Sequence, residues 1–215
     1  GFATPSTFGG PVEMPTLEGP SAETPTVEAR VSGAVRLGLG LLQGLALWGL
    51  HEAGEAAGYS RALPGHYFGT KSALLAALAD HIIAGYAIRI REAVGPADGL
   101  DSLCERICFY FDDACRDPVT VRAFQCILAG GLTRGDLAPI MNQLNRNSVD
   151  GLASIIKLAR HKGEVRADVR PRAEASLILA SMRGVMFQWL TIPDHVSLSR
   201  MRDALVTNIR RSLAP

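Results

Sequence analysis

Between Ala57 and Lys71 the chain reads Ala-Gly-Tyr-Ser-Arg-Ala-Leu-Pro-Gly-His-Tyr-Phe-Gly-Thr-Lys, and this order of stops and starts constrains the fold more than any other stretch. Ala57-Gly58 ends a helix, because Gly tolerates the left-handed backbone that follows a helix C-terminus. Ser60 is placed to cap the next helix by accepting a backbone N–H. Gly69-Thr70 interrupts that short helix, and Thr70 caps a third that begins at Lys71. Two helices joined by a short Gly-containing turn make a helix-turn-helix, which can lay its second helix in a DNA major groove.

Composition points to helix elsewhere as well. Hydrophobic residues make up 47% of the 215, Ala, Leu and Gly dominate, and β-branched and aromatic residues are sparse, which favours helix over sheet. A chain of this length can bury a sizeable core in one or two domains. The formal net charge is only +1, which excludes bulk attraction to a polyanion and makes any nucleic-acid footprint local. No membrane span or signal peptide is expected; 35–50 comes nearest to a span, but Arg36 and Gln43 interrupt it. A cytoplasmic location is the expectation.

Residues 1–29 form a compositional zone of their own. Pro5, Pro11, Pro15, Pro20 and Pro25 recur among Thr, Ser and Gly, and Glu13, Glu18, Glu23 and Glu28 occur without any Lys or Arg. Such a segment buries too little apolar surface to fold alone and is expected to be an extended or disordered acidic tail. Helices are expected over 30–43 and 49–57. The glycine-rich run Gly38 to Gly44 lacks the preceding strand and the third-glycine spacing of a dinucleotide loop. The helix from Lys71 carries Leu74, Leu75, Leu78, Ile82, Tyr86 and Ile90 at helical spacing and ends at Gly95-Pro96. Further helices are expected over 100–116, 118–129, 136–162, 171–190 and 199–213, with Gly130-Gly131 and Gly163 as breakers. In 171–190 one stripe holds Ala175, Leu179, Met182, Met186 and Leu190, and a second holds Ile178, Val185 and Trp189. Two stripes need two partners, and a second subunit is expected against this helix and against 199–213, with its Met201, Leu205, Ile209 and Leu213.

The motif at 57–75 resembles the TetR family of transcriptional regulators. The family pattern runs roughly Ala-Gly-Val-Ser-Lys/Arg-Gly-x-x-Tyr-x-x-Phe-x-x-Lys and then Leu-Leu; Ala57, Gly58, Ser60, Arg61, Phe68, Lys71, Leu74 and Leu75 match it. Pro64 and Gly65 stand where a Leu-Tyr pair is usual, and Leu47-Trp48 stands where a Thr or Ser cap often opens the second helix. The resemblance implies an all-α protein, with a DNA-binding head over 30–85 and a ligand-binding and dimerisation domain over 86–215. It implies a homodimer on a palindromic double-stranded DNA operator, released by a small-molecule effector. The candidate DNA-contacting set is Ser60, Arg61, Ala62, Gly65, His66, Tyr67 and Lys71. Arg61 can pair with guanine or phosphate. Lys71 opposes the helix dipole in a first turn, which a phosphate partner would offset. The candidate effector set is Phe109, Phe124, Met141, Asn145, Met182, Met186 and Trp189, with Gln188 as a further polar contact; flat and adaptable apolar groups suit an apolar or aromatic effector. The rival reading is a helical small-molecule-binding protein of the same fold that has lost DNA binding.

Cys104, Cys108, Cys115 and Cys126 cluster in one segment. Cys104 and Cys108 share a helix face. No Cys-x-x-Cys pair or adjacent His accompanies them, so packing as small hydrophobes is favoured over a metal or redox sensor. No nucleophile–base–acid set or paired carboxylates occur in an ordered motif. Neither enzymatic activity nor a cofactor or metal is expected.

Overall fold

A computed structural model of the chain describes residues 66, 68–133, 135 and 137–215. All the regular structure among them is helical: α1 (Lys71–Val94), α2 (Leu100–Arg116), α3 (Pro118–Thr133), α4 (Ala138–His161), α5 (Pro171–Thr191) and α6 (Leu198–Leu213). The expected helices at 30–43 and 49–57, the acidic tail and the turn of the helix-turn-helix lie outside the described residues.

Local chemistry sets most of the boundaries. Thr70, extended at φ −128°, accepts the Ala73 N–H at 3.1 Å and starts α1 as expected. Gly95 ends it at φ +75°, a conformation that costs a side-chain-bearing residue strain. Asp117 accepts the Thr120 N–H at 3.0 Å to open α3. Pro171 sits in the first turn of α5, where its missing N–H costs nothing. Ser197 accepts the Arg200 N–H to open α6 at Leu198, one residue before the expected start. The start of α2 is held from a distance: the Glu164 carboxylate accepts the Leu100 N–H at 2.7 Å across 64 residues of chain. Gly99, at φ +96°, lets that carboxylate approach, since a Cβ there would lie 2.3 Å from a Glu164 oxygen.

One expected breaker does not break. α3 continues through Gly130-Gly131 to Thr133, because Gly131 serves close packing: its missing Cβ leaves room for Met141, which would otherwise stand 2.5 Å away.

The main core joins α2, α4, α5 and α6. Leu103, Ile107 and Phe111 meet Ile156, Ala175, Met186 and Leu213 there, all essentially without exposure. α4 lies along α5, and α2 along α6. At the rim, Arg202 pairs with Asp112 at 2.6 Å and Arg210 with Asp101 at 2.7 Å. A second core gathers Leu75, Leu78 and Ala79 of α1 against Ile127, Leu137 and Met141. It fastens the N-terminal half of α1, which follows the expected helix-turn-helix segment directly in sequence, onto α3 and α4.

Both apolar stripes of α5 turn inward. Ala175, Ile178, Met182 and Met186 are buried in the main core, and Val185, Trp189 and Leu190 pack against it. The outward face is a third one. Leu177 and Phe187 stand on it 62% and 60% exposed, with exposed Ala180 and Gly184 between them. Leu205 of α6 is half-buried on its own core.

Candidate functional site

α1, α2, α3, α4 and α5 line a cavity of about 610 Å³, within the range of small-molecule sites. α1 supplies Ile82, Ile83, Tyr86, Ala87, Arg89 and Ile90, the inner face of two of its turns. α2 supplies Arg106, Ile107, Tyr110 and Asp113, and α3 adds Val121, Phe124 and Gln125. α4 contributes Leu144, Asn147, Ser148 and Leu152, and α5 closes the cavity with Leu179, Met182, Arg183 and Met186.

Helical periodicity explains this convergence. Leu103, Arg106, Ile107 and Tyr110 recur at three- and four-residue spacing on α2, as do Leu179, Met182, Arg183 and Met186 on α5, so each arginine rides in an apolar stripe. The polar groups that result are few. Arg89 forks onto Asp113, with Nε to Oδ1 at 3.0 Å and Nη2 to Oδ2 at 2.8 Å. The hydrogen bond to Asp113 raises the Arg89 pKa. A smaller cleft of about 330 Å³ shares Ile82, Arg89, Asp113 and Thr120 with the cavity, so the ion pair stands in the wall between the two. The Tyr86 ring lies 5.7 Å from Phe109 and 6.3 Å from Tyr110. Burial pushes the Tyr110 phenol up to about 12, against the nearby Arg183 charge. It pushes Tyr86 higher still, helped by Tyr110 and Asp113. Both phenols are therefore protonated donors at neutral pH. Burial also holds the Arg183 guanidinium below its ordinary value.

Of the residues proposed from the sequence, Phe124, Met182 and Met186 line the cavity. Phe109 is buried behind Tyr86 and buttresses its ring. Met141 belongs to the second core, Asn145 accepts from Arg183, Trp189 packs on the main core and Gln188 is exposed. Tyr86, which the sequence marks only as a helical-stripe position, and Tyr110, Arg106 and Arg183 are not among the site residues expected from the sequence. The available signal was an arginine recurring within an apolar stripe, at 106 and again at 183. In the DNA-contacting set, Ser60, Arg61, Ala62, Gly65 and Tyr67 lie outside the described residues, His66 is exposed, and Lys71 is half-buried in the first turn of α1. The four cysteines are free thiols, Cys104 buried and Cys115 exposed. Among the described residues no three His, Cys, Asp or Glu side chains group to hold a metal ion. α1 is long and apolar enough to cross a membrane by length and composition; here its apolar positions line the cavity and fill the second core.

A profile describing the C-terminal domain of BetI-type transcriptional repressors matches residues 96–214. The chain belongs to the TetR family of transcriptional regulators. Among solved structures it is similar to SmeT, the repressor of a Stenotrophomonas maltophilia multidrug efflux pump, in complex with triclosan. That match has 18% identity and a TM-score of 0.75, over 87% of this chain and 92% of that one. It is also similar to a TetR transcription regulator from Haloarcula marismortui, with 16% identity and a TM-score of 0.74 over 86% and 99%. The fatty acid degradation regulator FadR of Bacillus halodurans has 15% identity and a TM-score of 0.71 over 84% and 94%. At these identities the likeness is one of fold. No curated protein matches the chain.

Proposed function

We propose that this TetR-family protein is a homodimeric cytoplasmic repressor, released from its DNA operator when a small effector with an apolar or aromatic body fills the cavity. The observation that carries this reading is the double role of α1. Its first turn continues from the helix-turn-helix segment and holds Lys71, and two later turns form a wall of the cavity. An occupant that pushes on Ile83, Tyr86 or Ile90 acts on the helix that carries the DNA-reading head.

The coupling needs no contact between effector and DNA. The effector has only to bind more tightly to the arrangement of α1 in which two heads no longer match successive major grooves. The Arg89–Asp113 fork ties α1 to α2 at the cavity wall, so it resists displacement of α1 until an occupant changes the balance. SmeT in its complex with triclosan is a precedent in this fold for a repressor that holds a small aromatic molecule.

DNA from upstream of the protein's own gene, titrated by fluorescence anisotropy over a series of salt concentrations, tests the reading. Specific binding with a steep salt dependence is expected. Binding no tighter than to scrambled DNA would instead favour a binding protein of this fold without a regulatory output.

A further inference from the structure

We propose that the ligand of this cavity is an apolar carboxylate, with its anionic head seated at Arg106 and Arg183 and its body along the apolar walls. This rests on reading the cavity as the effector site, and it specifies the chemical class of the effector.

The ionisable groups of the wall do not balance. Three arginines and one aspartate line the cavity, and the aspartate is already engaged by the bidentate fork of Arg89. Arg106 donates from Nη2 to the Gly95 carbonyl at 2.5 Å. Its Nε is enclosed without an acceptor among the described residues, so what it can offer an occupant is its remaining Nη donors. Arg183 is half-buried and donates to the neutral side-chain amide of Asn145. Among the described residues it reaches no carboxylate. Two guanidiniums thus face a largely apolar chamber with most of their donors unused, although a guanidinium has five. Retaining unpaired charge in such a place is costly unless something pairs with it.

The partner they fit is an anion. A planar carboxylate matches the guanidinium fork. Tyr86 and Tyr110 line the same cavity, and their protonated hydroxyls are further donors there. A neutral ligand can accept from these donors but leaves their charge uncompensated, and a cationic one meets like charge. A polyanion would face isoleucine, leucine, methionine and phenylalanine over the rest of the wall, whereas a single carboxylate on an apolar body matches both parts.

Calorimetric titration of the full chain with three probes of one shape tests this: 6-phenylhexanoate, 6-phenylhexan-1-ol and 6-phenylhexylamine. The carboxylate is expected to bind about 10- to 100-fold more tightly than the alcohol, the ratio typical of hydrogen bonds to a charged group, and the amine more weakly than either. Arg106→Met and Arg183→Met should each bring the carboxylate close to the alcohol, and Arg183→Lys should retain part of the preference. The comparison in the unaltered protein needs no variant to fold. If the alcohol or the amine binds as tightly as the carboxylate, the carboxylate assignment is overturned while the cavity remains an effector site. If none of the three binds at millimolar concentration, the assignment and the effector reading fall together.

Discussion

The proposed dimer gives a prediction whose size follows from the outward face of α5. Leu177 and Phe187 are 62% and 60% exposed, and the small Ala180 and Gly184 between them leave a surface that a second helix can approach closely. Full burial of a Leu or Phe side chain is worth about 1.5–3 kcal/mol. With three-fifths still exposed, each has about 1–2 kcal/mol left to gain. A two-fold axis through this face brings four such side chains together, for a total of about 4–8 kcal/mol. Replacing both by serine should therefore raise the dimer dissociation constant by about three to six powers of ten. Sedimentation equilibrium across a wide concentration range reads that change. Because both side chains point away from the core, the unfolding free energy of the released monomer should stay within about 0.5 kcal/mol of expectation for surface changes. A dissociation constant within tenfold of the parent would refute the argument and move the interface elsewhere. Leu205→Glu, which the sequence alone suggests for the same purpose, strikes the protomer's own core and should lower the melting temperature instead.

Three further predictions follow from other parts of the molecule. Glu164→Ala removes the cap on Leu100 and should cost about 1–2 kcal/mol, read as a melting temperature lowered by about 2–8 °C; an unchanged melt would mean that the distant cap contributes nothing. Leu179→Trp should fill the cavity from a half-buried position and abolish probe binding in calorimetry while operator affinity holds. Met186 is fully buried in the core, so Trp there should destabilise the fold by about 1–3 kcal/mol through overpacking. On the DNA side, Arg61→Ala should cost about 1–3 kcal/mol and relax preference at one position per half-site, whereas Lys71→Ala should weaken all sequences alike and lower the salt slope by about one. Anisotropy titrations that show both variants equal to the parent would remove this docking of the head.

What the sequence makes legible here is local. Thr70, Gly95, Pro118 and Pro171 act within a turn of where they stand, and the helix boundaries near them are expected correctly. The failures are tertiary. Gly130-Gly131 has the composition of a break, but Gly131 is there for Met141, a packing relation that no local pattern displays. Leu100 is capped by a residue 64 positions away. The two stripes of α5 imply two partners by periodicity, yet both face the same core, because a helix laid between α4 and α6 buries a wide arc. In the cavity, Phe124, Met182 and Met186 were legible as adaptable apolar groups. Phe109 and Met141 have the same chemistry and serve as buttress and core, since residue type does not say which side of a helix opens on a void. Arg106 and Arg183 are the opposite case: each interrupts an apolar stripe, and that interruption acquires meaning only once five helices bring the two arginines to one chamber.

Linkage of cavity and operator through α1 is tested most directly by reciprocal titration. The tightest-binding of the three phenylhexyl probes is titrated by calorimetry with and without operator DNA, and operator is titrated by anisotropy with and without saturating probe. A coupling of about 1–3 kcal/mol is expected, a weakening of about 5- to 150-fold, of the same size in both directions because linkage is reciprocal. Tight probe binding that leaves operator affinity unchanged would contradict it.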